Sequence, residues 1–302
     1  MLIETERNLL SSETYQENLG KLFHEFTDKI TQQAYRAIDT PEVSTHLIRK
    51  MLKRFRAFAK LLRTNRNSPA YKQVNAFLRD QGREFSALRD AHVRRLLLNQ
   101  ILSETDYRPL AELLEKLQTR NKHQVLQLES ELLDVKNRFE RFADLIETNQ
   151  LLSQYFLENQ TDTDLLVQNY LESFDLSRTA YQAAVTNRDT ELLHEWRKRL
   201  KDLQYQTELI AGNTSTELFP QFSELEQLCV LLGEMNDYSM LASWLNSIEI
   251  NSHVSFNTSD FADNLNKQMD TLYSEIKQKG IQFYNESTRT IEKLSQQLTS
   301  NE

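Results

Sequence analysis

Glycine and proline are so scarce in this chain that few folds other than a helical one are open to it. Only 5 glycines and 4 prolines occur among 302 residues, which is about a quarter of the usual share. An antiparallel sheet needs many tight turns, and tight turns depend on these two residues. Apolar residues instead recur with nearly continuous helical periodicity. The sequence therefore predicts an all-α protein with eight or more helices.

Short polar segments interrupt this periodicity and predict the turns between helices. They contain the serine, threonine, aspartate and asparagine residues that cap helix N-termini. Pro41 and Pro69 stand where a proline is tolerated in the first turn of a helix. The charged stretch 109–150 reads as a bundle helix with a solvated face. The predicted turns are residues 39–41, 65–69, 107–109, 160–164, 187–190, 212–216 and 251–260.

The net charge and the distribution of apolar residues limit where the protein is located and what it can bind. The formal net charge is −8, which disfavours general attraction to nucleic acid or to an anionic membrane surface. The acidic first residues, and the lack of an apolar stretch of roughly 18 residues, predict a cytoplasmic protein with no membrane partner. The single cysteine, Cys229, lies in an apolar run and fits a core thiol. Any anion site must therefore be local.

Two short patterns recur in the same order and at nearly the same distance, which predicts an internal duplication. His46 is followed by basic residues at positions 49, 50 and 53, and His194 by basic residues at positions 197, 198 and 201, an offset of 148. Asp90 and Asp237 belong to a second shared pattern with an offset of 147. The predicted halves, which together form one domain, are residues 1–158 and 159–302.

The first pattern begins a helix with a strongly basic polar face. Seven lysines and arginines and no acid occur between His46 and Arg63. On a helical wheel they share one half with His46, while Ile48, Phe55 and other apolar residues take the other half. Like charges at this spacing repel by about a few tenths of a kcal/mol per pair, and nothing within the run offsets them. Taken alone, such a run could still be a solvated face without a partner.

The second copy repeats this arrangement, with His194, Arg197, Lys198, Lys201 and Tyr205 on one face of an amphipathic helix. Guanidinium and ammonium groups at each helical turn suit a polyanion whose negative oxygens recur along a chain. The two histidines could instead bind a metal or be ordinary buried residues, although their cationic neighbours disfavour a divalent ion. We expect no metal and no cofactor. Protonation of both histidines should strengthen anion binding near pH 6.

These residues resemble the motifs of the CHAD family, named for conserved histidines in an alpha-helical domain. The resemblance extends from about residue 14 to about residue 295. The sequence departs from the family pattern at Gln204, where an arginine is usual, and at His92, where an acid is frequent. The matching residues are His46, Arg49, Lys53, Arg54 and Arg56; Arg89 and Asp90; His194, Arg197, Lys198, Lys201, Leu203 and Tyr205; and Leu232, Gly233, Asn236 and Asp237.

The resemblance implies two antiparallel four-helix bundles related by a pseudo-twofold axis. Their motif helices would face a central basic channel or groove that binds inorganic polyphosphate, and the protein would associate with polyphosphate granules. Asp90 and Asp237 are expected to orient neighbouring guanidinium groups. The predicted polyphosphate-binding residues are His46, Arg49, Lys50, Lys53, Arg54, Arg56, Lys60, Arg63, Arg89, His194, Arg197, Lys198, Lys201 and Tyr205.

The sequence contains no familiar catalytic motif, so we expect a binding module rather than an enzyme. It has no phosphate-binding glycine loop, no HExxH and no GxSxG pattern. A nucleic-acid binder using the same helices is one alternative, although Phe55, Phe58 and Trp196 lie on apolar faces rather than on a stacking surface. A hydrolase or transferase acting on a phosphate polymer is another, and it would need paired carboxylates or a metal set. The oligomeric state is left open.

Overall fold

The chain folds into α-helices, as the scarcity of turn-forming residues predicts. The computed structural model describes residues 15–65, 68–104, 108–134, 138–159, 161–211, 219–251 and 259–299. Within these ranges it contains eleven α-helices, one short 3-10 turn and no strand. The helices are α1 Tyr15–Tyr35, α2 Pro41–Leu61, α3 Pro69–Glu84, α4 Ser86–Ser103, α5 Arg108–Asp134, α6 Arg138–Glu147, α7 Gln150–Leu157, α8 Thr163–Asn187, α9 Thr190–Ala211, α10 Phe222–Asn251 and α11 Ser259–Thr299. None of the helices in these ranges is long and apolar enough to cross a membrane.

Local sequence signals set the helix boundaries. Helices α2 and α3 begin at Pro41 and Pro69, where the missing amide hydrogen costs no helical bond. The side chain of Asp162 caps α8 by accepting a hydrogen bond from the Leu165 amide at 2.8 Å. The stretch 109–150, which was expected to be helical, is divided between α5, α6 and the start of α7. The predicted turn at 212–216 lies outside the described residues.

One continuous hydrophobic core joins the two predicted halves. Phe23, Phe55 and Phe156 are buried together, with the rings of Phe55 and Phe156 stacked at 4.6 Å between centroids. The same core contains Trp196 of α9, which is fully buried. Helix α2 packs directly on α8 and α9. The core therefore fixes the basic helix of the first half against the basic helix of the second.

Polar side chains from the segment after α7 and from α8 hold the C-terminal end of α2. The last carbonyls of a helix have no partner within it and must bond elsewhere when buried. Asn169 Nδ2 donates to the carbonyls of Leu61 at 2.8 Å and of Arg63 at 2.9 Å. Thr161 Oγ1 and Asn159 Nδ2 both donate to the Leu62 carbonyl, at 2.7 and 3.0 Å. These bonds fix the position of α2 along its own axis. They therefore also fix where each of its basic side chains lies along the helix.

A smaller apolar cluster packs the other motif helices together. Leu98 of α4 and Leu117 of α5 are buried with Leu241 of α10 and Phe261 of α11. Helix α4 also contacts α2, and α10 contacts α9. The four helices that carry the sequence motifs, α2, α4, α9 and α10, are thus brought together at the centre of the molecule.

Candidate anion-binding groove

Helices α2 and α9 run antiparallel, and ion pairs join them. Position 54 of α2 meets position 208 of α9, whereas position 60 meets position 202, so the two helices run in opposite directions. The Gln206 side chain also donates to the Ala57 carbonyl between these pairs, at 3.4 Å. The ion pairs between the halves are Arg54 with Glu208 at 3.0 Å, Lys60 with Asp202 at 3.0 Å, and Arg63 with Glu172 of α8.

Three of the predicted ligand cations are therefore buried and already paired. The side chains of Arg54, Lys60 and Arg63 are at most 6% exposed. The basic run of α2 contains no acid, but acids on α8 and α9 approach it from the other half of the chain. The expectation that nothing offsets the repulsion along α2 is wrong for these three residues, because the compensating charges are distant in sequence.

A groove of about 660 Å³ lies between α2, α3 and α9. Of the residues that the structure describes, ten lysines and arginines line it, together with His194 and two carboxylates, Glu195 and Asp202. Nine of the fourteen predicted ligand residues lie on its walls: Arg49, Lys53, Arg56, Lys60, His194, Arg197, Lys198, Lys201 and Tyr205. The other five, which do not line it, are His46, Lys50, Arg54, Arg63 and Arg89. Because the whole chain has a net charge of −8, this excess of cations is local.

The sequence analysis did not predict three of the cations that line the groove. These are Arg79 and Arg83 of α3, and Arg199 of α9. In the sequence Arg79 and Arg83 flank an acid and resemble a solvated face of mixed charge. The structure confirms that contact, since Arg79 Nε and Arg83 Nη1 donate to Asp80 Oδ1 at 2.9 and 3.2 Å. The only available signal was their four-residue spacing, which places both arginines on one face of α3.

Lys53 lies at the centre of the cationic cluster. Water reaches it through the groove, while protein atoms surround it on the other sides. This partial burial lowers the pKa of Lys53 to about 7, and neighbouring cations from three helices lower it further. In order of their effect, these cations are Arg197, Arg49, Lys201 and Arg89. The cluster therefore contains an ammonium group whose charged form is disfavoured by its surroundings.

His46 occupies a strongly cationic environment beside this cluster. Burial lowers its pKa to about 4, and the charges of Arg89, Lys50, Lys53 and Arg49 contribute to this shift. His46 is therefore neutral near pH 6. In the free protein, burial above all and then the cations around it oppose the protonation of His46, and the effect of that protonation on binding stays a prediction.

His194 is held by a hydrogen-bond chain to the second aspartate. Its Nδ1 lies 2.7 Å from Asn236 Oδ1, and Asn236 Nδ2 donates to Asp237 Oδ1 at 3.2 Å. An amide oxygen only accepts hydrogen bonds, so Nδ1 of the ring is the donor. This fixes the orientation of the imidazole and leaves Nε2 for another partner.

Asp90 and Asp237 lie close enough to the cluster to act on it electrostatically. Burial raises the pKa of Asp90, and Arg49 is the strongest of the cations that oppose this. Burial also raises the pKa of Asp237, which the bond from Asn236 and the charge of Arg197 oppose. Their predicted role in orienting guanidinium groups remains a prediction.

One arginine of the cluster keeps an unused donor. Arg197 Nε is buried and has no hydrogen-bond partner within the part of the chain that the structure describes. A buried donor without a partner is costly.

Fold and groove together define an all-helical protein in which two copies of a basic helix contribute to one cation-lined groove. The CHAD domain family model matches residues 21–246, about three quarters of the chain. The chain therefore belongs to the CHAD domain family. No curated protein matches it. All of α11 lies beyond the matched segment, although α11 packs on α8 and α10 of the same core.

Proposed function

We propose that this protein is a binding module for inorganic polyphosphate and that the groove between α2, α3 and α9 is its binding site. The observation that carries the proposal is the convergence of cations from both halves of the chain on Lys53. Arg49 comes from the first histidine motif, whereas Arg197 and Lys201 come from the second. Membership of the CHAD family is consistent with a polyphosphate-related role.

The ligand chemistry follows from the excess of cations in the groove. Ten basic side chains against two carboxylates require many negative charges in a small volume, which a single phosphate does not supply. Guanidinium groups bind phosphate oxygens in pairs, and ammonium groups act as mobile point charges. A linear chain with a charge on every unit would satisfy both kinds of donor along the groove.

The proposal includes a pseudo-twofold relation between the two halves. The offset of 148 makes position 54 equivalent to 202 and position 60 equivalent to 208. Residue 54 contacts 208, while residue 60 contacts 202, which is the reciprocal pattern expected across a twofold axis. Two equivalent four-helix bundles would then enclose the site. A role without catalysis, and a place on cytoplasmic polyphosphate granules, belong to the same proposal.

The aromatic residues of the groove favour polyphosphate over a nucleic acid. Single-stranded nucleic acids bind by stacking bases on exposed rings. Tyr205 is only 5% exposed, and Arg63 already lies over the Tyr71 ring at 5.7 Å from its centroid. Among the described aromatic residues, these two are the ones that line the groove. Stacking would therefore contribute little.

A competition titration tests this function. Long-chain polyphosphate, tripolyphosphate and RNA are titrated into the protein at physiological salt, with calorimetry as the readout. We expect the long chain to bind most tightly. Stronger RNA binding would favour the nucleic-acid alternative, and release of phosphate with added Mg²⁺ would favour a hydrolase. Failure to bind any of the three would contradict the proposal.

Two double variants with the same change in charge locate the site. Lys53→Gln with Lys201→Gln removes two central charges, and we expect affinity for the long chain to fall at least about tenfold. Lys267→Gln with Lys277→Gln is the matched control, because it removes two exposed lysines of α11 that do not line the groove. Equal loss in both double variants would show that binding responds to total charge rather than to the groove.

A further inference from the structure

Two neighbours on its own helix hold Lys201 on the wall of the groove. Lys201 lines the groove together with Tyr205. Its Nζ donates a hydrogen bond to Gln204 Oε1 at 2.9 Å and lies 5.8 Å from the centroid of the Tyr205 ring. Gln204 is only 8% exposed, and it does not line the groove. A ligand in the groove therefore meets Lys201 and not Gln204.

Glu208 fixes the amide group of Gln204 from the other side. Gln204 Nε2 donates to Glu208 Oε1 at 3.1 Å. The second carboxylate oxygen of Glu208, Oε2, pairs with Arg54 of α2 at 3.0 Å. Because an ammonium group only donates and a carboxylate only accepts, the amide satisfies both of its neighbours in a single orientation. That orientation turns the amide oxygen toward Lys201.

Glutamine fits this position because its side chain both accepts and donates hydrogen bonds without carrying a charge. A glutamate at position 204 would have no donor for Glu208 and would repel it. An arginine or a lysine would pair with Glu208 but would offer no acceptor to Lys201. The contact between Lys201 and residue 204 is therefore specific to the glutamine of this chain.

The internal repeat shows what happens when an arginine stands at the equivalent position. The offset of 148 makes Lys53 equivalent to Lys201 and Arg56 equivalent to Gln204. Arg56 cannot accept a hydrogen bond from a lysine, and its Nε instead donates to Asn75 Oδ1 of α3 at 2.9 Å. The two equivalent lysines thus differ, because only Lys201 has an acceptor at the third residue after it.

We propose that Gln204 is a positioning residue of the anion site, which holds the Lys201 ammonium group at the groove wall before the ligand binds. This inference rests on the proposed function. A lysine side chain has many rotamers, and ordering it when a ligand binds lowers the affinity. Gln204 orders Lys201 in the free protein, so less freedom is lost on binding. The ammonium group has three donors, so it can still donate to phosphate oxygens.

A double-variant cycle tests this inference by calorimetric titration of long-chain polyphosphate into the full-length protein. Gln204→Met keeps a neutral side chain of similar length but removes both hydrogen bonds, and we expect the affinity to fall about fivefold. In the background of Lys201→Met the same change should have no effect, because no ammonium group is left to position. Unchanged affinity in Gln204→Met, or an equal loss in both backgrounds, would overturn the inference.

Gln206→Met is the matched control, because it makes the same change two residues further along α9. Gln206 is fully buried and donates to the Ala57 carbonyl at 3.4 Å in the contact between α2 and α9. It does not line the groove. The affinity of Gln206→Met should equal that of the wild-type protein, whatever its melting temperature. A loss as large as that in Gln204→Met would assign both effects to the packing of α9 on α2, against the inference.

NMR of the lysine ammonium groups measures the hydrogen bond in the free protein. An ammonium group that donates to a fixed acceptor exchanges its protons with water more slowly than a free one. Lys201→Met identifies the signal of Lys201. We expect Gln204→Met to accelerate the proton exchange of this signal, and Gln206→Met to leave it unchanged. Equal exchange rates in Gln204→Met and the wild-type protein would show that Gln204 does not hold Lys201.

These outcomes separate the positioning role from the function on which it rests. If the wild-type protein binds long-chain polyphosphate but Gln204→Met behaves as the wild-type protein does, the positioning role is wrong and the proposed function stands. If the wild-type protein binds no polyphosphate, the proposed function is wrong, and the role of Gln204 in binding is wrong with it, even where the NMR signal confirms the hydrogen bond.

Discussion

Lys53 carries a charge that its surroundings in the groove disfavour. Its pKa of about 7 lies far below the value near 10.4 of a free lysine. Below about pH 7 the folded protein holds a charge that its surroundings oppose. As pH rises above 7, the folded state releases that proton before the unfolded state does, so the free energy of unfolding increases. The charge is thus unfavourable for folding and favourable for binding an anion.

This pKa predicts a pH dependence of binding. An anion favours the charged form of Lys53, so binding takes up a proton above pH 7 and affinity falls as the pH rises through that value. We expect about tenfold weaker binding of long-chain polyphosphate at pH 8 than at pH 6, because the protonated fraction of Lys53 falls by about that factor. Calorimetric titrations across this range measure the effect.

The control for this prediction keeps a fixed charge at the same position. Lys53→Arg carries a guanidinium that stays protonated, so its affinity should change little between pH 6 and pH 8. The charged groups around Lys53 are Arg49 on α2, Arg89 and Asp90 on α4, Arg197 and Lys201 on α9, and Asp237 on α10. The same pH dependence in Lys53→Arg would assign it to one of these groups or to the ligand.

At the scale of helices, the contact between α2 and α9 depends on opposite charges at equivalent positions. The first half has Arg54 and Lys60, and the second has Asp202 and Glu208. Two copies of the first half in this arrangement would bring Arg54 against Lys60, and two copies of the second would oppose two acids. The charge difference thus favours pairing between unlike halves within one chain.

The pair Lys60 with Asp202 predicts a measurable coupling between these helices. Lys60→Met leaves Asp202 without its partner, and we expect the free energy of unfolding to fall by about 1–3 kcal/mol. This is less than for a fully buried pair, because the Asp202 side chain is 31% exposed. Adding Asp202→Asn should recover most of the loss. Urea unfolding of the single and double variants gives the coupling energy.

An exposed ion pair of the same chain provides the comparison. Arg178 and Asp175 are 41% and 62% exposed, so Arg178→Met should change the free energy of unfolding by at most about 1 kcal/mol. If Lys60→Met has no larger effect than this, the contact between α2 and α9 does not depend on the Lys60 pair.

At the scale of the whole molecule, the sequence predicts the helices and the spacing of the motifs. It predicts less well which basic side chains are paired with an acid. The scarcity of glycine and proline predicts the all-helical fold, and the repeat identifies the helices that meet. It cannot show that Arg63 is neutralised by Glu172, 109 residues away, because helical periodicity carries no information about distant partners. The α3 arginines were missed for the opposite reason, since Asp80 beside them gives the appearance of a solvated face.

The local character of the site predicts how affinity depends on salt. With a net charge of −8, the molecule as a whole repels polyanions, so attraction must come from groups within a Debye length of the ligand. If five of the groove cations, namely Arg49, Lys53, Arg197, Lys198 and Lys201, each neutralise one phosphate, the logarithm of affinity should fall with the logarithm of salt concentration with a slope of about −3.5. Between about 0.05 and 0.2 M salt this corresponds to roughly a hundredfold loss. In Lys53→Gln with Lys201→Gln the slope should be shallower by about 1.4, and in Lys267→Gln with Lys277→Gln it should be unchanged. A slope near zero, or one that both double variants reduce equally, would mean that the groove cations are not the groups that the anion neutralises.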